Sequence, residues 1–164
     1  MASTYEPIAS ATATSVTNFT FDSNGAFSNY TDLIVIVHGK CYYAAVNQAY
    51  LRFNGDIGSN YSDTKLVGNG TTASSNRSTN YSYIFAGDFA QPSQTESSAR
   101  FQIMQVNNAS IYKTVLIESA NPYNLVERGV GLWRSTSAIT SILVGNNYGF
   151  EVGTTASLYG IKAA

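Results

Sequence analysis

The sequence predicts an all-β protein: a single-domain antiparallel β-sandwich, jelly-roll-like, with about 8–10 strands and little or no helix. Short apolar segments recur along the chain, and turn clusters rich in Asn, Gly and Ser separate them. No window of roughly eleven or more residues has helical periodicity with caps. Eight strands in two sheets would form a jelly roll, an architecture common in capsid and lectin domains.

Nine segments have strand character. Phe19 and Phe21 share one face of the first, and the continuous run Leu33–Val37 is typical of a strand buried on both sides. A change of apolar phase near Met104 predicts a bulge in the fifth segment. In chain order the segments are Val16–Phe21, Leu33–Val37, Ala49–Phe53, Tyr81–Ala86, Ala99–Val106, Tyr112–Glu118, Gly129–Arg134, Ala138–Val144 and Ala156–Ile161.

The length of 164 residues suits one domain. Residues 1–15, rich in Ala, Ser and Thr, are expected to form a flexible or docking N-terminal arm, with residues 16–164 as the single β-sandwich domain. The low-complexity stretch Asn69–Asn80 is expected to be an exposed loop between strands.

Charged residues make up only 12% of the chain, about half the usual share. The net charge of −1 offers no basic face for nucleic acid, and the run Leu33–Val37 is far shorter than the roughly 18 residues of a membrane span. The single Cys41 excludes an intramolecular disulfide. A surface of hydroxyls and amides suits subunit packing, so we expect a homo-oligomer, a trimer or another small assembly.

The stretch Leu51–Gly70 contains two acids, Asp56 and Asp63, among small polar residues. A helix-flanked calcium loop beginning at Asp56 would need Gly where Tyr61 stands and Glu where Val67 stands, so that pattern fails. An irregular calcium site remains open as an alternative. The Asn-Gly-Asp run at the start of the loop is typical of a tight turn, which favours a structural connection.

The residues that could carry catalysis form no recognisable arrangement, so we expect no enzyme activity, no cofactor and no metal. His38 and Cys41 are three apart, which places them on opposite faces of a continuing strand. The chain has no G-x-S-x-G elbow, phosphate loop or zinc-ligand set. Nothing distinguishes its acids from solvated turn and strand residues. The carboxylate pairs considered for glycoside hydrolysis are Asp56 with Asp63 and Glu118 with Glu127.

Aromatic residues provide the better candidates, because twelve Tyr, eight Phe and one Trp form 13% of the chain. Tyr combines an apolar ring with a polar tip, which serves subunit interfaces and sugar stacking alike. Trp133 is expected in the core or at an interface, with Arg134 pointing the other way. The candidates for glycan or subunit contact are Tyr42, Tyr43, Asp56, Asn60, Tyr61, Trp133 and Arg134.

Five stretches of the chain form a recognisable combination: YEPIAS, YTDLIVIVHG, LRFNGDIGSNYSDTKLVGNGTTASSNRS, GLWRSTSAITSI and FEVGTTASLYGIKAA. Together they resemble a family of small virion structural proteins of tailed phages, including phages of cyanobacteria. The likeness runs from Tyr5 to Ala164 and is most specific where three of its blocks combine: the long Leu51–Gly70 block, "GLWRS" and "SLYGIKAA".

The resemblance implies a non-enzymatic particle component, either a capsid decoration or cement protein or a fibre-associated protein. Its expected partners are further copies of itself and other virion proteins such as the major capsid protein, with neither nucleic acid nor membrane. The alternative is a module on a head or tail fibre that binds host surface glycan. The N-terminus lacks the basic start and apolar core of a signal peptide, so we expect synthesis in the host cytoplasm and location in the virion.

Overall fold

Twelve strands and one short 3-10 turn are present in the computed structural model, which describes residues 5–44 and 47–162. Every strand pairing is antiparallel. The helical turn, Ala26–Asn29, is too short to span a membrane, and no other helix occurs in these two ranges. The strands are β1 Glu6–Thr12, β2 Phe19–Asp22, β3 Asp32–Gly39, β4 Asn47–Phe53, β5 Tyr61–Gly68, β6 Ala73–Tyr81, β7 Ile84–Phe89, β8 Ser97–Ile103, β9 Lys113–Asn121, β10 Leu125–Trp133, β11 Ser141–Asn146 and β12 Thr155–Ile161.

The strands form two sheets, which confirms the predicted all-β sandwich. The larger sheet has eight strands in the order β1-β12-β3-β8-β9-β10-β5-β6, and the smaller has four in the order β2-β11-β4-β7. When β5, β6, β9 and β10 are set aside, the remaining eight strands form two four-stranded sheets in the order of a jelly roll, β1-β12-β3-β8 and β2-β11-β4-β7. The four additional strands all belong to the larger sheet and continue it past β8; β9 and β10 still pack against β7, and β6 forms the far edge.

The core lies between the two sheets and follows from period-two alternation along the strands. In β12 the residues Ala156 and Leu158 face inward and are buried, while their neighbours are partly exposed. Aromatic rings fill much of the space between the sheets, and burial of each Phe contributes roughly 1.5–3 kcal/mol. The fully buried phenylalanines among the described residues are Phe27, Phe53, Phe89, Phe101 and Phe150.

Three strands, β1, β5 and β6, were not predicted, which raises the count from the expected 8–10 to twelve. Residues 1–15 were expected to form a flexible or docking N-terminal arm. In the described part β1 docks on the chain's own larger sheet by pairing with β12 from Glu6↔Gly160 to Thr12↔Thr155, so the flexible alternative was wrong there. The prediction of a loop over residues 69–80 was also wrong, because β6 pairs with β5 through most of that stretch. Backbone pairing at a sheet edge requires no apolar side chains, so these Ser- and Thr-rich segments carried no strand pattern. Residues 1–4 of the expected arm lie outside the described ranges.

Candidate functional site

The loop between β4 and β5 is organised around the carboxylate of Asp56. Asn54 and Gly55 turn the chain with φ of 53° and 65°. Asp56 Oδ1 then accepts the Gly58 N–H at 2.8 Å, and Oδ2 accepts Asn60 Nδ2 at 3.0 Å. Trp133 Nε1 donates to the same Oδ2 at 2.7 Å. Both carboxylate oxygens are therefore engaged within the chain, as expected of a structural connection between strands.

The pKa of Asp56 lies below its ordinary value of 3.8. Burial alone would raise it, but hydrogen bonds from Trp133, Asn60 and Gly58 and the charge of Arg52 stabilise the anion more strongly. A group with a lowered pKa contributes stability that is fully present above its unfolded pKa and is lost as the pH falls through the folded value.

Asp56→Asn is expected to lower the free energy of unfolding by about 1 kcal/mol at pH 7, because a charge-assisted acceptor is lost. The difference from the unmodified chain should shrink as the pH falls below 3.8, where Asp56 is protonated in the unfolded chain and then in the folded one. Urea titrations of both proteins between pH 7 and 2.5 measure this difference. If the difference in the free energy of unfolding stayed constant from pH 7 to 2.5, the hydrogen bonds would not depend on the charge of Asp56, and the role given to its carboxylate would be wrong.

Tyr61 and Trp133, both named as possible contact residues, are buried, with exposed fractions of 0% and 2%. For Trp133 this confirms the expected core position, whereas for Tyr61 the prediction of a contact role was wrong. The Tyr61 hydroxyl donates to the Asp56 carbonyl oxygen at 3.1 Å and accepts the Phe53 N–H at 3.1 Å. Burial raises the pKa of Tyr61 to about 12. Both polar tips are satisfied by the loop itself, so these side chains anchor the loop and cannot reach an external ligand.

Arg134 follows β10 and lies across the same loop. Its guanidinium donates to the Ser59 carbonyl oxygen and to Asn80 Oδ1 at the end of β6. Asn60, a predicted contact residue, is half-buried and donates to Asp56. Arg134 and Asn60 are therefore positioned by the loop and offer only part of their surface to a partner.

Tyr42 and Tyr43 are the predicted contact residues that the structure leaves well exposed, at 56% and 47%. The ring of Tyr43 stacks on that of Tyr148, with centroids 4.1 Å apart and planes inclined by 14°. The Tyr42 N–H donates to the Gly149 carbonyl oxygen at 3.0 Å, which holds the two loops together. An exposed aromatic stack of this kind suits the apolar face of a sugar ring or a protein partner. Tyr148 was missed because it reaches Tyr43 only through the fold.

The outward face of the larger sheet carries an exposed apolar patch, made of Ile36, Leu66, Leu116, Val126 and Val130. Leu116 and Val130 lie directly opposite each other on β9 and β10. Ile36 and Val126 line one shallow groove of about 360 Å³, and Leu66 with Val126 lines another of about 260 Å³. Apolar residues grouped in this way on one face are typical of contact surfaces.

Charged residues cross the centre of this patch in one row. Glu118 pairs with Arg128 on the neighbouring strand and lies 3.6 Å from Arg100 on the other side. The three residues are directly opposite one another in the sheet. The outward face thus combines apolar contact area with a fixed charged row that can orient a partner.

A second charged cluster is buried between the sheets, where the larger sheet extends past β7. Lys65 Nζ lies 3.3 Å from Glu127 Oε1, and the two side chains are only 3% and 2% exposed. Glu127 Oε2 accepts the Asp88 N–H at 2.8 Å, and Asp63 Oδ2 accepts the Phe85 N–H at 3.3 Å. The two carboxylates thus satisfy backbone donors along the free edge of β7.

Burial raises the pKa of both Asp63 and Asp88, and the nearby charge of Glu127 acts in the same direction. A Cβ at Gly87, whose φ is +108°, would collide with the Ser119 side chain, so glycine permits β7 to approach the cluster closely. The buried cluster is therefore a structural device that closes a sheet edge, and burial raises the pKa of two of its acids, Asp63 and Asp88.

The acid pairs considered for hydrolysis are separated by this arrangement. Glu118 lies on the outward face of the larger sheet, whereas Glu127 lies on its inward face. Asp56 is held in its loop, and Asp63 lies beneath β7. The carboxylates of Glu118 and Glu127 therefore lie on opposite faces of the sheet, whereas two-carboxylate hydrolysis requires both groups to flank the same bond.

His38 and Cys41 are also separated. His38 Nδ1 lies 2.9 Å from Ser98 Oγ on the outward side, while Cys41 is fully buried with Sγ 3.2 Å from the Ala90 carbonyl oxygen. Burial raises the pKa of the Cys41 thiol, which disfavours the nucleophilic thiolate. Among residues 5–44 and 47–162, no three His, Cys, Asp or Glu side chains are grouped so that they could hold a metal ion.

No protein-family model matches this chain, and no curated protein matches it.

Proposed function

We propose that this chain is a non-enzymatic structural protein of a tailed-phage particle, an oligomeric decoration or cement protein that binds the major capsid protein of the assembled shell. The observation that carries the proposal is the apolar patch on the outward face of the larger sheet, Ile36, Leu66, Leu116, Val126 and Val130, which nothing in the described chain covers. The jelly-roll order and the resemblance to virion proteins support the same assignment.

The proposed mechanism is mass action. A subunit that binds only the assembled shell stabilises that shell by its binding free energy. The patch provides an apolar centre, and the row of Arg100, Glu118 and Arg128 limits the orientations in which it can dock. The low charge of the chain reduces the desolvation cost of such a contact.

Electron microscopy of intact particles carrying an antibody label against this chain tests the proposal, together with mass spectrometry of purified particles. We expect the chain to be present in the particles and the label to be distributed over the head. Absence from purified particles would overturn the proposal altogether.

The second candidate is a glycan-binding module on a head or tail fibre, which would recognise host surface polysaccharide. The observation that favours it is the exposed stack of Tyr43 on Tyr148, with Tyr42 beside it. Stacked tyrosines present rings for sugar contact with hydroxyls at their rim. Label confined to fibre tips would favour this candidate over capsid decoration.

A further inference from the structure

We infer that two copies of this chain join edge to edge through β6, as an antiparallel pair around a two-fold axis. The inference rests on how well each of the four sheet edges is protected against pairing with another strand. The edge strands are β1 and β6 in the larger sheet and β2 and β7 in the smaller sheet. A free edge presents unpaired N–H and C=O groups, and proteins usually protect it against pairing with another chain.

Three of the four edges are protected. In β1, Pro7 lacks an N–H and the register shifts between Pro7 and Ala9, so the strand is a poor template. The β2 edge is only four residues long. Along β7, the carboxylates of Asp63 and Glu127 accept backbone N–H groups that would otherwise be available to another strand.

The β6 edge is less protected than these three. Its register with β5 shifts only at one end, where Asn80 (φ 59°) is the extra residue between Thr79 and Tyr81, so residues 73–79 form a regular strand. The strand is nine residues long, and within the described ranges only β5 pairs with it. It contains no proline, one charged residue (Arg77), and otherwise small or amide side chains apart from Tyr81. All of its residues but one are exposed on both faces of the sheet. This edge is therefore open to β-augmentation over residues 73–79, a length of about 24 Å.

A second copy of the same chain is the occupant that fits best. It offers an identical strand that is already extended and paired on its other side, so the contact orders no further chain. A two-fold axis perpendicular to the sheet places one residue opposite its own copy. An axis at Asn76 places amide against amide, and one at Ser78 places hydroxyl against hydroxyl. Both registers keep Arg77 away from its symmetry mate. An axis at Arg77 itself would instead place the two arginines directly opposite each other, which is unfavourable.

Residues 75, 77 and 79 point to the outward face, because Ser75 is opposite the exposed Leu66. Lysine at Ser75 and Thr79 therefore changes the edge without entering the core. With the axis at Asn76 or Ser78, one of these lysines lies directly opposite Arg77 of the second copy. With the axis at Arg77, the two lysines lie opposite each other. Like charges directly opposite are destabilising in every case. The matched control is Ser10→Lys with Thr12→Lys in β1, at the opposite edge of the same sheet and facing outward like their partners Ser157 and Thr155.

Sedimentation equilibrium of the purified chain tests the inference. We expect the unmodified chain and the β1 control to sediment at twice the mass of one chain, and the Ser75→Lys/Thr79→Lys variant at the mass of one chain. A chain that is monomeric over the whole concentration range would overturn the inference, as would an oligomer that the β6 lysines leave intact. Neither result bears on where the chain lies in a particle.

If the lysine variant fails to fold, hydrogen exchange of the unmodified chain gives the answer instead. Amides of β6 that point away from β5 should exchange slowly in concentrated protein and at least tenfold faster on dilution. Equally fast exchange of these amides at both concentrations would overturn the inference, since an unpaired edge amide is exposed to water.

Discussion

Lys65→Met is expected to lower the free energy of unfolding by about 3–5 kcal/mol, the usual effect of breaking a buried ion pair by removing one partner. Lys65 is the cation of a cluster that also holds Glu127, Asp63 and Asp88, and its Nζ lies 3.3 Å from Glu127 Oε1. Methionine keeps an apolar stem but removes the ammonium, which lies 5.4 Å from the centre of the Phe85 ring, and leaves Glu127 buried without a counter-charge. Urea unfolding at pH 7 measures the loss.

Two further variants make the test specific to the buried pair. Lys65→Met with Glu127→Met should recover part of the loss, because replacing both charges by apolar groups removes the uncompensated carboxylate. Glu118→Gln, which removes a carboxylate from the outward face, should leave the unfolding midpoint almost unchanged. A Lys65→Met protein that unfolds at the same urea concentration as Glu118→Gln would contradict the role given to Lys65.

The sandwich could be predicted because most of its strands bury apolar residues in period two. β12 and β9 are clear examples, in which Leu158, Val115 and Ile117 alternate with more exposed neighbours. Alternation of apolar residues could not predict the order of the strands within the sheets. It depends on pairings such as β12 with β3 and β10 with β5, which no local signal specifies.

β5 shows why some strands could not be predicted. Its inward residues include Asp63 and Lys65, so the face that is buried appears polar in the sequence. The charges are tolerated there because they face the edge of β7 rather than the middle of the core. A pattern of apolar alternation cannot reveal a strand whose inward positions serve hydrogen bonding.

The candidate contact residues also show that the sequence pattern does not determine which side chains are exposed. Tyr43 and Trp133 are both aromatic residues near strand ends, yet Tyr43 is exposed and Trp133 is buried beneath the Asp56 loop. The sequence indicated correctly that this loop would be a structural connection, because its turn residues act locally. The partner of Tyr43 in the exposed stack, Tyr148, lies on a distant loop and required the fold.

Lys113→Met is expected to lower the free energy of unfolding by about 3 kcal/mol, since buried acceptors that lose their donor cost about 1–3 kcal/mol each. Lys113 is fully buried at the start of β9. Its Nζ donates to the carbonyl oxygens of Asn108 at 2.7 Å, Ile111 at 3.1 Å and Thr136 at 3.1 Å. The ammonium thus joins the loop before β9 to the loop after β10, and burial lowers its pKa because no counter-charge offsets the desolvation.

Lys162→Met is the matched control, because it removes an equally long cation whose contact, the ion pair with Glu6 at 2.9 Å, is solvent-exposed. Its unfolding midpoint should stay close to that of the unmodified chain. In Lys113→Met, hydrogen exchange should also become faster in the two loops that the ammonium connects, residues 104–112 and 134–140, while β12 stays protected until global unfolding. Equal midpoints for the two variants, or unchanged exchange in both loops, would show that the three carbonyl contacts of Lys113 do not hold these loops together.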